Sequence, residues 1–104
     1  AKAMMMDDAL LAGERAKTKN PAEYAITGTP QSLEAYGCMV RKDDTQMKAL
    51  LDEVIADAEK NGKAAAIYEK WFNSPIPPKQ LNLDFPMSDD MKALFANPND
   101  KVLQ

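Results

Sequence analysis

Residues 36–44 read Tyr36-Gly37-Cys38-Met39-Val40-Arg41-Lys42-Asp43-Asp44. A long amphipathic stretch follows, then Asn61-Gly62, then a short helical stretch that ends Ile67-Tyr68-Glu69-Lys70-Trp71-Phe72. Gly37 to Arg41 is expected to be a strand, with Cys38, Met39 and Val40 at its centre. Asp43 or Asp44 can cap the helix behind it. Met47, Leu50, Leu51, Val54, Ile55 and Ala58 recur at i, i+3, i+4, i+7, i+8 and i+11, one apolar stripe at helical period with charges on the other face. Asn61-Gly62 is a C-cap signal. A second helix is expected from about Lys63 to Phe72, with Ile67 and Trp71 one turn apart. A strand feeding a helix capped at both ends is the back half of an α/β layer.

Upstream, Ala3 to Met6 is a short apolar run without alternation, which suits a strand buried on both faces. Asp8 can cap a helix from about Ala9 to Lys17, with Leu10 and Leu11 on its apolar side. Asn20-Pro21 marks a boundary. Tyr24 to Thr27 reads as a further short strand, punctuated by Gly28, Thr29 and Pro30. Downstream, three prolines between Ser74 and Pro78 force an extended segment. Ser88 can cap a short helix carrying Met91, Leu94 and Phe95. The tail is expected to wrap across a surface, anchored by the alternating Leu81, Leu83 and Phe85.

Three strands of about four residues make a poor sheet by themselves. Parallel or mixed sheets need helices on both faces and several strands. The expected fold is therefore α/β, short strands flanked by helices, with part of the sheet supplied by sequence outside this chain. Open edges invite pairing, so a dimer or a strand-swapped assembly is expected of the chain alone. The chain begins at Ala1 with neither an initiator Met nor a signal peptide, so a piece of a longer protein is expected.

Composition narrows the function. The chain has 104 residues and a formal net charge of -3, with 13 Lys and Arg against 16 Asp and Glu. That balance argues against a nucleic-acid partner, because phosphate binding wants a basic stripe. No apolar run approaches the roughly 18 residues that span a bilayer. There is no histidine, which removes the commonest general base and the commonest metal ligand. Met4, Met5 and Met6 cannot converge on one metal from a strand, so no metal site and no cofactor are expected. Cys38 is the sole cysteine and cannot form an internal disulfide; read from the residues alone it is a small buried apolar side chain. Tyr68, Trp71 and Phe72 read as core. No nucleophile and base pair is visible, so an enzyme is not expected.

Asp7 is the candidate binding residue. A carboxylate at the C-terminal end of a buried strand, before a helix, sits where open α/β sheets bind ligands. It can accept hydrogen bonds from a ligand ammonium, each worth about 1.5–3 kcal/mol. The alternative is that Asp7 and Asp8 only cap the helix. Neighbouring strand residues point to opposite faces, so the two do not form an acid and base pair.

Several segments carry a resemblance. Met5-Met6-Asp7-Asp8-Ala9-Leu10-Leu11-Ala12-Gly13-Glu14-Arg15-Ala16-Lys17, Pro30-Gln31-Ser32, Glu34-Ala35-Tyr36-Gly37-Cys38-Met39, Lys70-Trp71-Phe72, Pro75-Ile76-Pro77-Pro78-Lys79 and Met91-Lys92-Ala93-Leu94-Phe95 resemble stretches of periplasmic glutamate/aspartate-binding proteins of ABC importers. The similarity covers essentially the whole chain. It implies a C-terminal fragment of a two-lobed, type II periplasmic-binding-protein-like fold. On that resemblance, residues 1–35 end lobe two, Tyr36 and Gly37 form the return hinge, and residues 38–104 complete lobe one with an extended tail helix. Asp7 matches the family's aspartate for the ligand α-ammonium. The implied ligand is L-glutamate or L-aspartate, the implied partners are a transporter permease and the missing N-terminal portion, and the implied location is the periplasm. The resemblance also implies a disulfide from Cys38 to the missing segment. The rival reading is a small α/β interaction domain acting by sheet-edge pairing.

Overall fold

A computed structural model describes residues 2–102. Among the described residues four helices carry the fold: α1 (Asp8–Lys17), α2 (Thr45–Lys60), α3 (Lys63–Phe72) and α4 (Asp89–Ala96), with a single 3₁₀ turn at Pro21–Glu23. The chain divides into two compact units, Ala1–Gly28 with Ala66–Met87, and Thr29–Ala65 with Ser88–Gln104.

The helices form where local signals place them. Asp44 is the N-cap of α2 and its carboxylate accepts from Met47 N at 2.9 Å. Ser88 caps α4 the same way, its hydroxyl accepting from Met91 N at 3.2 Å. Each side chain satisfies one of the backbone donors that a helix start leaves orphaned. α2 ends at Asn61, and Gly62 follows with φ +84, a left-handed conformation that costs a glycine nothing. α1 starts one residue earlier than its sequence indicates: Asp7, not Asp8, occupies the N-cap.

In the first unit, α1 turns Ala12 and Ala16 inward, one above the other at i and i+4. Ala12 has no exposed surface. Tyr68 of α3 is also buried, and its ring stacks on Phe72 at 4.4 Å with an 11° interplanar angle. Phe85 joins this cluster, 6.3 Å from Phe72 and tilted by 45°. Between them the chain reverses: Ile76 N donates to Leu81 O at 2.9 Å in an isolated antiparallel bridge. Leu81, Leu83, Phe85 and Met87 are half-buried, whereas Asn82, Asp84 and Pro86 are exposed. The tail therefore wraps with alternating anchors, as its pattern indicates. Trp71 departs from the expected core. It is 43% exposed, with the Lys70 ammonium 5.3 Å from its ring.

In the second unit, α4 lies against α2 and half-buries Met91, Leu94 and Phe95. Lys48 on α2 pairs with Asp52 one turn on and with Asp100 at 2.8 Å. The helical period of α2 is present, yet Met47, Leu50, Val54 and Ile55 on its apolar stripe are exposed. α4 covers too little of α2 to bury that stripe.

The expected strands correct to irregular, unpaired backbone. None of residues 3–6, 24–27 and 37–41 forms a ladder, and the described residues contain no strand. A strand is held by hydrogen bonds to a neighbour, and these three segments do not pair with one another. Met5 (84%) and Met39 (97%) stand open instead of lying between layers. Cys38 shares that fate: it is a free, exposed thiol and not a buried core residue.

Candidate functional site

Asp7 sits at the N-terminus of α1, with φ -53 and ψ 138. Its backbone carbonyl accepts from Leu11 N at 2.9 Å, so the main chain is committed to the helix. Its carboxylate is not: no side-chain capping bond is made. The neighbouring Asp8 carboxylate takes Ala9 N at 2.7 Å instead. The Asp7 side chain is thus left without a partner in its own helix turn. The Asp7 carboxylate is exposed and lies at the positive end of the α1 dipole, which favours an anion there.

Tyr36, Gly37 and Cys38 lie together on the irregular segment before α2. Tyr36 is 90% exposed and Gly37 has open space around its Cα. They are consecutive in the chain and far in sequence from Asp7. Among the described residues, no group of three or more Cys, Asp and Glu side chains could hold a metal ion. Among the described residues, no helix is long and apolar enough to cross a membrane.

The first unit contains an open cleft of about 420 Å³ beside the end of α1, lined by Arg15, Pro21, Tyr24, Leu83 and Asp84 among others. Asp7 does not line it. Eight residues along a helix separate Asp7 from Arg15, about 12 Å of rise. Arg15 Nη2 donates to the carbonyls of Leu83 at 3.0 Å and Asp84 at 3.1 Å. Leu83 and Asp84 bring these carbonyls to one nitrogen because Asp84 has φ +48. In extended backbone successive carbonyls point opposite ways; a left-handed residue breaks that alternation. One residue on, Phe85 N donates to Phe72 O at 3.2 Å and the Tyr68 phenol donates to Phe85 O at 3.0 Å. Residues 83–85 are thereby gripped from α1 and from α3 at once.

Sequence reasoning did not find Arg15. Its partners are backbone carbonyls 68 and 69 residues away, which leave no trace in residue type. Tyr68 was visible as an aromatic, but its hydroxyl partner, 17 residues downstream, was not.

The chain is similar to known proteins along nearly its whole length. A glutamate/aspartate import solute-binding protein of Escherichia coli is 61% identical over 103 residues, 99% of this chain and 34% of that protein. The protein of the same description from Salmonella typhimurium is 60% identical over 103 residues, with the same coverage. An L-glutamate/L-aspartate-binding protein of Pseudomonas aeruginosa is 55% identical over 104 residues, 100% of this chain and 34% of that protein. The chain thus spans about a third of the length of the relatives it matches. Residues 2–74 match the family directly, and the chain belongs to the bacterial extracellular solute-binding proteins, family 3.

Proposed function

We propose that this chain is the C-terminal portion of the periplasmic solute-binding component of an amino-acid ABC importer, taking L-glutamate or L-aspartate between two α/β lobes. The observation that carries the reading is the 55–61% identity, end to end, to proteins described as glutamate/aspartate-binding. In this reading residues 1–35 belong to lobe two, Tyr36 and Gly37 flex as the return hinge, and residues 38–104 complete lobe one. The exposed α2 stripe and the unpaired segments are then surfaces that the N-terminal portion covers and pairs. Cys38, free and exposed, is available for a disulfide to that portion.

The mechanism is binding and closure without covalent chemistry. The ligand holds the closed state better than the open one and shifts the population toward it. A permease then reads the closed form. Asp7 supplies the contact to the α-ammonium. Its freedom from capping supports this role, since a carboxylate already bonded to backbone N–H groups would have less to offer a ligand.

Calorimetry on the full-length protein tests the reading. L-glutamate is expected to bind the full-length protein and not the 104-residue chain alone. Asp7→Ala is expected to weaken binding by about 1.5–3 kcal/mol, the loss of a charged hydrogen bond. Unchanged affinity would remove Asp7 from the site, and tight binding by the isolated chain would overturn the two-lobed reading.

A further inference from the structure

We infer that the clasp at residues 83–85 is a third tie between the two lobes, additional to the hinge strands, and that it limits how far the ligand-free protein opens. The inference rests on the proposed lobe assignment, in which α1 belongs to lobe two and α3 to lobe one.

Three consecutive residues carry it. The carbonyls of Leu83 and Asp84 both accept from Arg15 Nη2 on α1. The N–H and carbonyl of the next residue, Phe85, are both taken by α3, through Phe72 O and the Tyr68 phenol. A segment with free ends could slide between the helices. Here both faces of one short stretch are bonded, so α1 and α3 cannot separate without breaking a charge-assisted bond or a buried phenol bond. The segment is also set for the task. Asp84 adopts φ +48, uncommon for a residue with a side chain, and its N–H donates to Asn82 Oδ1 at 2.8 Å. Asn82 Nδ2 in turn donates to Asn73 O at 3.0 Å, fixing the turn to the end of α3. The conformation that aims two carbonyls at one guanidinium is thus held by its own hydrogen bonds.

Cutting such a tie widens the open ensemble and lowers the fraction of protein ready to close. Apparent affinity falls by that fraction. Two variants of the full-length protein break the clasp by separate routes. Arg15→Met keeps the aliphatic stem and removes the guanidinium. Asp84→Val places a β-branched residue where φ must be positive. Small-angle scattering is expected to give both variants a larger ligand-free radius of gyration than wild type. Calorimetry is expected to show Kd for L-glutamate raised several-fold. Asp84→Gly, which accepts φ +48, is expected to keep the wild-type radius. Arg15→Met with a wild-type ligand-free radius would overturn the inference. Failure of the wild type to bind L-glutamate would instead sink the functional reading alone, because the ligand-free comparison involves no ligand.

Discussion

The phenol of Tyr68 donates to the backbone carbonyl of Phe85 at 3.0 Å, and through this bond the tail is fixed to the third helix. Tyr68 has only 7% of its surface exposed, and its ring stacks on Phe72. One side chain therefore supplies both apolar area and a polar anchor to the first unit.

Tyr68→Phe separates the two contributions. The ring and its stacking remain, and the Phe85 carbonyl loses its donor. Urea unfolding is expected to show a loss of about 0.5–1.5 kcal/mol, the usual net worth of one hydrogen bond. No measurable loss would mean that water replaces the phenol at no cost.

The same residue sets an alkaline limit. Burial raises the Tyr68 phenol above its ordinary 10.0, with the negative charges of Asp8 and Glu69 adding to the shift. Between the ordinary value and the raised one, the unfolded chain has lost the proton and the folded chain keeps it. The unfolded state binds fewer protons there, so stability falls as pH rises past about 10, by at most about 1.4 kcal/mol per pH unit for one group. Thermal melts from pH 9 upward are expected to show this decline. In Tyr68→Phe its slope should be shallower, and an unchanged slope would point to another group.

Asp44→Ala removes the side chain that accepts from Met47 N. The expected cost is about 1 kcal/mol of helix stability, within the range for capping residues. Circular dichroism across a thermal melt reads it. Asp44→Asn, which preserves the acceptor, should recover most of the loss.

The Lys48–Asp100 pair is exposed on both sides, so it is a marker of geometry more than a source of stability. The hydrogen bond from Lys48 pulls the Asp100 carboxyl below its ordinary 3.8. Its small contribution is therefore present above that value and fades as pH falls through the lowered one. Carboxyl NMR titration is expected to place the Asp100 midpoint low in the wild type and back in the ordinary range in Lys48→Met. High salt should move it the same way.

The legibility of the fold follows the range of the forces. α2 and α4 were readable because Asp44, Ser88 and Gly62 act within a few residues of themselves. α3 was readable because Asn61-Gly62 ends the helix before it. The segments around Met5 and Met39 had the composition of buried strands, but a strand depends on a neighbour, and the residue string does not say whether one is present. For the same reason the stripe of α2 was legible as a helix face and not as an exposed one. At the candidate site, Asp7 stands out in the sequence at an expected strand-to-helix boundary; the helix is there and the strand is not, and the uncapped state of its carboxylate left no mark in residue type. Arg15 was invisible because its partners are main-chain atoms.

The first unit is built from two stretches of chain, Ala1–Gly28 and Ala66–Met87. The segment from Gln31 to Arg41, exposed but for the half-buried Val40, has no helix or strand to protect its backbone. A protease such as trypsin is thus offered an early cut at Arg41 or Lys42. Such a cut severs the covalent path without touching Arg15, Leu83, Asp84 or Phe85. The two pieces share a mutual docking surface at the clasp, which makes that segment the natural place to divide the 104-residue chain into complementing pieces.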